Sequence, residues 1–176
     1  MKRPLRGPVY IDGSESRMDV GKALVAGMTA GAVMSVILAL ARILGMPVNM
    51  EMLLGTMAGL DAGFRTWLLG FAFHLAISAT IGVIYAAGFE GVTHRAGALI
   101  GMGFSLFHIA FAGIIVGVLP ELAPRTPAPV PPPGPFFSNL GLGAVFLFVL
   151  VHVVYGGIVG VLYHPEPQPR TGAQPL

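Results

Sequence analysis

Polar and apolar positions alternate along this chain on the scale of whole segments. Four apolar stretches, at about residues 22–44, 67–89, 96–119 and 138–163, are separated by short polar or proline-containing connections. The last belongs to a 28-residue run, 136–163, without a single Asp, Glu, Lys or Arg. At ~1.5 Å rise per residue such a run exceeds a hydrocarbon core of ~30 Å, so it is long enough to span a bilayer with some tilt. Within it His152 is followed by Gly156, Gly160 and Tyr163, at offsets +4, +8 and +11. At ~3.6 residues per turn these lie within about 80° of one another on a single helix face.

The second stretch carries the same face in His74, Ser78, Gly82 and Tyr85, so the pattern His-x3-small-x3-Gly-x2-Tyr occurs twice, 78 residues apart. The first and third carry a related one, Ala23-x3-Gly27-x3-Gly31-x2-Met34 and Gly97-x3-Gly101-x3-Ser105-x2-His108. The pattern predicts an all-α, polytopic four-helix membrane bundle built from two repeated transmembrane hairpins.

The connections are predicted as follows. Residues 1–21 form a polar tail with mixed charge and no apolar run of the signal-peptide kind, so the first span is expected to direct insertion. Lys22 and Arg42 are placed to snorkel at the two ends of span one. Residues 49–57 suit a short interfacial helix started by Pro47 and Asn49, whose methionines suit either a greasy surface or a soft-metal funnel. Residues 90–95 make a short turn. Residues 120–135, ending Pro131-Pro132-Pro133-Gly134-Pro135, read as an extended, poorly packed external loop, and 164–176 as a second polar tail.

Composition agrees with this class. The chain of 176 residues is 55% hydrophobic and 10% charged, with a mean hydropathy of +0.79; soluble domains average roughly 25% charged residues. The net charge of +2 arises from Lys and Arg near span edges, with no basic face interleaved with aromatics, which speaks against nucleic acid. Without Cys there are no disulfides, thiolate metal sites or thiol catalysis. With Lys22 counted on the N-terminal side, seven of the ten Lys and Arg fall in the two tails and the 90–95 turn. The positive-inside rule therefore places both termini in the cytoplasm and the proline-rich loop outside.

Candidate chemistry lies within the spans. If the two copies share an orientation, equivalent residues share a depth. His74 and His152 each precede their tyrosine by 11 residues, or roughly 16 Å. His108 lies 12 residues inside Ala96, as Met34 does inside Lys22, or roughly 18 Å. One His or Met from every helix thus reaches a similar level, above an inner half where Gly27, Gly31, Ser78, Gly82, Gly97, Gly101, Gly156 and Gly160 allow close helix packing. Such a layer suits haem between two imidazoles, with His74, His108 and His152 as binding residues. It also suits copper held by these three and the Met34 thioether, or a proton relay. Beside these stands hydrogen bonding across helices, for which Thr29, Ser35, Ser78, Thr80 and Ser105 are available. Tyr85 and Tyr163 read as interface anchors, Glu51, Asp61 and Glu90 as edge residues, and His94 and His164 as solvated. No catalytic motif and no intramembrane carboxylate pair is present.

The opening Gly21-Lys22-Ala23-Leu24-Val25-Ala26-Gly27 with Met34-Ser35, residues 50–55, the His74 span and the closing His152-x2-Tyr155-Gly156-x3-Gly160-x2-Tyr163 resemble a family of small four-span prokaryotic membrane proteins. That family has no assigned function and is loosely similar to the YagU-type inner-membrane proteins. The resemblance covers about residues 20–163 and implies membrane location and four-span topology. The expected role is a small membrane component whose His layer holds haem or copper in a respiratory or metal-handling system. The alternatives are a structural or accessory subunit packing against a partner or itself, and a dimeric transporter of a small neutral solute.

Overall fold

The computed structural model describes residues 18–122 and 131–164, with the side chains of 120–122 outside the description. Both distal tails and the middle of the proline-rich connection therefore lie outside it. Every element among the described residues is helical: α1 (Val20–Ile43), α2 (Met50–Thr56), α3 (Phe64–Gly88) running on into a π-helical turn (Phe89–Thr93), α4 (Ala98–Leu122), a 3-10 turn (Pro135–Leu140) and α5 (Leu142–Leu162). Four helices are long and apolar enough to cross a membrane, over Val20–Ile43, Phe64–Thr93, Ala98–Leu119 and Leu142–Leu162.

The helix starts follow local chemistry. The Asp19 carboxylate accepts from the Lys22 amide at 2.9 Å to open α1, and Asn49 accepts from the Met52 amide at 3.1 Å to open α2. Each satisfies a backbone donor that has no partner within the helix. Gly45, with φ +89°, turns the chain after α1, a conformation open to glycine at little cost.

α1 packs antiparallel along α3, and α4 along α5. The close approaches occur in the halves of these helices nearest the described chain ends, called here the terminal half. A methyl on Gly82 would lie 2.8 Å from Gly27 Cα, and one on Gly31 would collide with the Ser78 side chain. On the other pair, a methyl on Gly101 would lie 2.8 Å from the Gly156 carbonyl carbon, and one on Gly160 would lie 3.2 Å from Gly101 Cα. Gly97 contributes differently: a methyl there would meet open space, while its carbonyl is what a methyl on Gly160 would strike. Small residues thus bring the backbones together. The two pairs join along α1 and α5, and Tyr155 OH donates to the Ser78 carbonyl at 2.5 Å. The α3 and α4 backbones stay apart. They meet through side chains in the terminal half, where Tyr85, Phe89 and Phe104 pack edge to face or tilted.

Three details depart from the sequence reading. First, α2 is not a surface helix: Leu53, Leu54 and Thr56 are buried, and it lies so close to α3 that a methyl on Gly70 would sit 2.7 Å from the Glu51 carbonyl carbon. Second, the described end of the proline-rich connection is packed. Pro133 and Phe137 are buried, and the Asn139 amide donates to the Pro132 carbonyl at 3.2 Å. Phe136 and Phe137 sit at φ +55° and +63°, unusual for bulky residues; Phe137 is held by edge-to-face packing on Phe148 at 5.1 Å. Third, Tyr85 and Tyr163 are buried. Tyr163 OH donates to Glu90 Oε1 at 2.8 Å, fastening the end of α5 to the turn after α3.

Candidate functional site

The His and Met positions of the four long helices come together. Met34, His74, His108 and His152 line one cavity of about 130 Å³, sited beyond the glycine contacts and toward the end occupied by α2 and the 3-10 turn. Met50, Leu54 and Phe137 close that end. Apart from the three imidazoles and Ser78, the lining is apolar. On one side the cavity is open: Ile77 of α3 and Phe111 and Ile115 of α4 form its lip and are exposed. That side is the gap left by the separated backbones of α3 and α4.

Each imidazole is anchored through Nδ1. His74 Nδ1 is 2.8 Å from Ser35 Oγ, one of the hydroxyls available from the sequence. His108 Nδ1 is 3.4 Å from Tyr85 OH. His152 Nδ1 is 2.7 Å from the carbonyl of Phe148, one turn back on its own helix. The His108 and His152 rings meet edge to face with centroids 4.7 Å apart, and Phe148 lies 4.2 Å from His152. His74 and His152 are buried, whereas His108 is half-buried.

Glu51, an edge residue by sequence position, is the largest departure. It is fully buried, its Oε2 pairs with Arg42 Nη1 at 2.9 Å, and its Oε1 has no hydrogen-bond partner. Arg42 also donates to the Val48 carbonyl at 3.3 Å, so it ties α2 down rather than snorkelling away from the bundle. The pair ties α1 to α2. The sequence signal was Gly55 and Gly70, two small residues 15 apart that permit α2 to lie against α3.

The geometry weighs on the candidate chemistries. A cavity of about 130 Å³ is close to the ~150 Å³ of an engineered cavity that accepts benzene. It has room for about one ring, so the haem reading gains no support from the cavity. Among the described residues no group of three or more His, Asp or Glu is arranged to hold a metal ion, so the copper reading gains no support from the donor geometry. The arrangement that remains is an apolar, laterally open pocket with imidazoles on its wall.

Comparison with known proteins finds no family model, no curated protein and no solved structure that matches this chain.

Proposed function

We propose that this chain is a multi-pass protein of the prokaryotic cytoplasmic membrane, with both termini cytoplasmic, that takes up a small lipid-soluble molecule in its histidine-lined cavity. The observation that carries the reading is that Met34, His74, His108 and His152 line one cavity whose open side lies between α3 and α4. Binding sites for small molecules are concave and mainly apolar, with a few polar groups that fix orientation. An opening between two apolar helices admits a ligand from the hydrocarbon phase rather than from water. Polar side chains within spans are costly to place there and are by default candidates for function.

The two helix pairs are best read as copies of one hairpin, in keeping with the four-span family that the motifs resemble. Gly27 approaches the Ser78 carbonyl as Gly101 approaches that of Gly156, and Gly82 approaches the Ala23 carbonyl as Gly160 approaches that of Gly97. In each case the offsets within the pattern are the same. The copies differ at the cavity, where Met34 stands opposite His108 in the pattern. Divergence at that position gives the pocket one imidazole on α4 and a thioether on α1.

A membrane-soluble aryl diazirine tests the uptake. Photolysis in liposomes is expected to place adducts on Met34 or His152, both buried within the bundle. Ala112→Trp, on the cavity wall, is expected to suppress them. Adducts confined to outward residues such as Leu106 and Phe107, in both proteins, would refute the reading.

A further inference from the structure

The hydrogen-bond anchors of the three imidazoles are not equivalent, and the difference bears on what the cavity accepts. A neutral imidazole has one N–H donor and one bare nitrogen acceptor, and the partner of one nitrogen decides the role of the other. The partner of His152 Nδ1, at 2.7 Å, is the Phe148 carbonyl, which only accepts. The proton must therefore sit on Nδ1, and Nε2 is an acceptor. His74 and His108 are anchored on hydroxyls, Ser35 Oγ and Tyr85 OH, which donate or accept with equal ease. Their tautomers adapt to whatever the cavity holds.

The cavity thus combines one fixed acceptor with two adjustable groups. We infer that it selects a hydroxyl-bearing, single-ring, lipid-soluble ligand, a phenol or quinol with an apolar tail, whose O–H donates to His152 Nε2. This rests on the uptake reading above and names its ligand class. The hydroxyl oxygen accepts in turn from His108, whose ring lies 4.7 Å from that of His152, in the tautomer that carries its proton on Nε2. A ketone, an ether or a hydrocarbon leaves the His152 acceptor without a donor, which is costly in an apolar surround. A charged ammonium would supply a donor but would have to enter through hydrocarbon. The volume of about 130 Å³ suits one ring, the Phe148 ring beside His152 offers it an aromatic face, and the gap between α3 and α4 leaves room for a tail to run out into the bilayer.

The test compares para-hexylphenol with its methyl ether, para-hexylanisole, on the wild-type protein in lipid nanodiscs with nitrogen-15-labelled histidine. His152→Leu serves only to assign the resonance. The phenol is expected to shift the His152 Nε2 resonance and to bind roughly tenfold more tightly than the ether, the worth of about one hydrogen bond. If the ether binds as tightly as the phenol, selection for a hydroxyl is overturned while uptake stands. If the phenol moves only the His74 resonances, the assignment to His152 is overturned. If neither probe perturbs any ring nitrogen, the uptake reading fails and takes this inference with it.

Discussion

Gly101 and Gly103 lie two residues apart on α4 and answer to different constraints. A methyl on Gly101 would sit 2.8 Å from the Gly156 carbonyl carbon, and backbone cannot yield as a flexible side chain does; a methyl on Gly103 would meet nothing within 4 Å. Gly101→Ala is therefore expected to cost ~1–3 kcal/mol by forcing α4 and α5 apart. Gly103→Ala should be neutral or stabilising by up to ~1 kcal/mol, because alanine is the better helix former. Reversible unfolding in mixed micelles measures both, and equal losses would show that the α4–α5 approach is not as described. Gly101 was legible in the sequence because the helical period alone decides which residues share a face. Met34, His74, His108 and His152 were legible for the same reason. Arg42, Glu51 and Tyr85 were not. A charged or phenolic side chain near the end of an apolar run looks the same in sequence whether it meets water or a neighbouring helix.

At the scale of elements, α2 shows why. Its seven residues could equally well lie flat at an interface, and its methionines fit that picture. What draws it in is Gly55 and Gly70, together with an ion pair that spans α1 and α2. Glu51 is wholly buried, whereas the Arg42 side chain retains 23% of its exposure. Arg42→Met is expected to destabilise by about 3 kcal/mol, because it leaves a buried carboxylate without its cation. The double variant Arg42→Met with Glu51→Leu should recover most of that loss, since an apolar pair of similar volume needs no desolvation. A double-mutant cycle from the same unfolding measurement checks this; additive losses would mean that the two side chains do not act as a pair. The 3-10 turn has a similar history. Gly113 and Gly117 of α4 leave space that the Phe136 ring and Pro135 occupy, so the prolines read as a loose spacer end in a packed cap, a long-range fit that local composition does not carry.

At the scale of the whole molecule, α1 and α5 form the joint between the two helix pairs, and the gap between α3 and α4 is their open mouth. The proposed topology is testable because the chain has no native Cys. Thr93→Cys, after α3, should be shielded from a membrane-impermeant maleimide in intact cells, while Asp61→Cys, before α3, should react; the reverse pattern would invert the orientation. The mouth also bears on how affinity must be expressed. A pocket open to the hydrocarbon of a bilayer is one that an acyl chain can fill. Any guest displaces that chain, exchanging one apolar surround for another of equal character, so burial of its own hydrocarbon contributes almost nothing. Discrimination rests on the polar head alone. The meaningful concentration is mole fraction in lipid, and a guest that merely partitions well into membranes has not thereby bound.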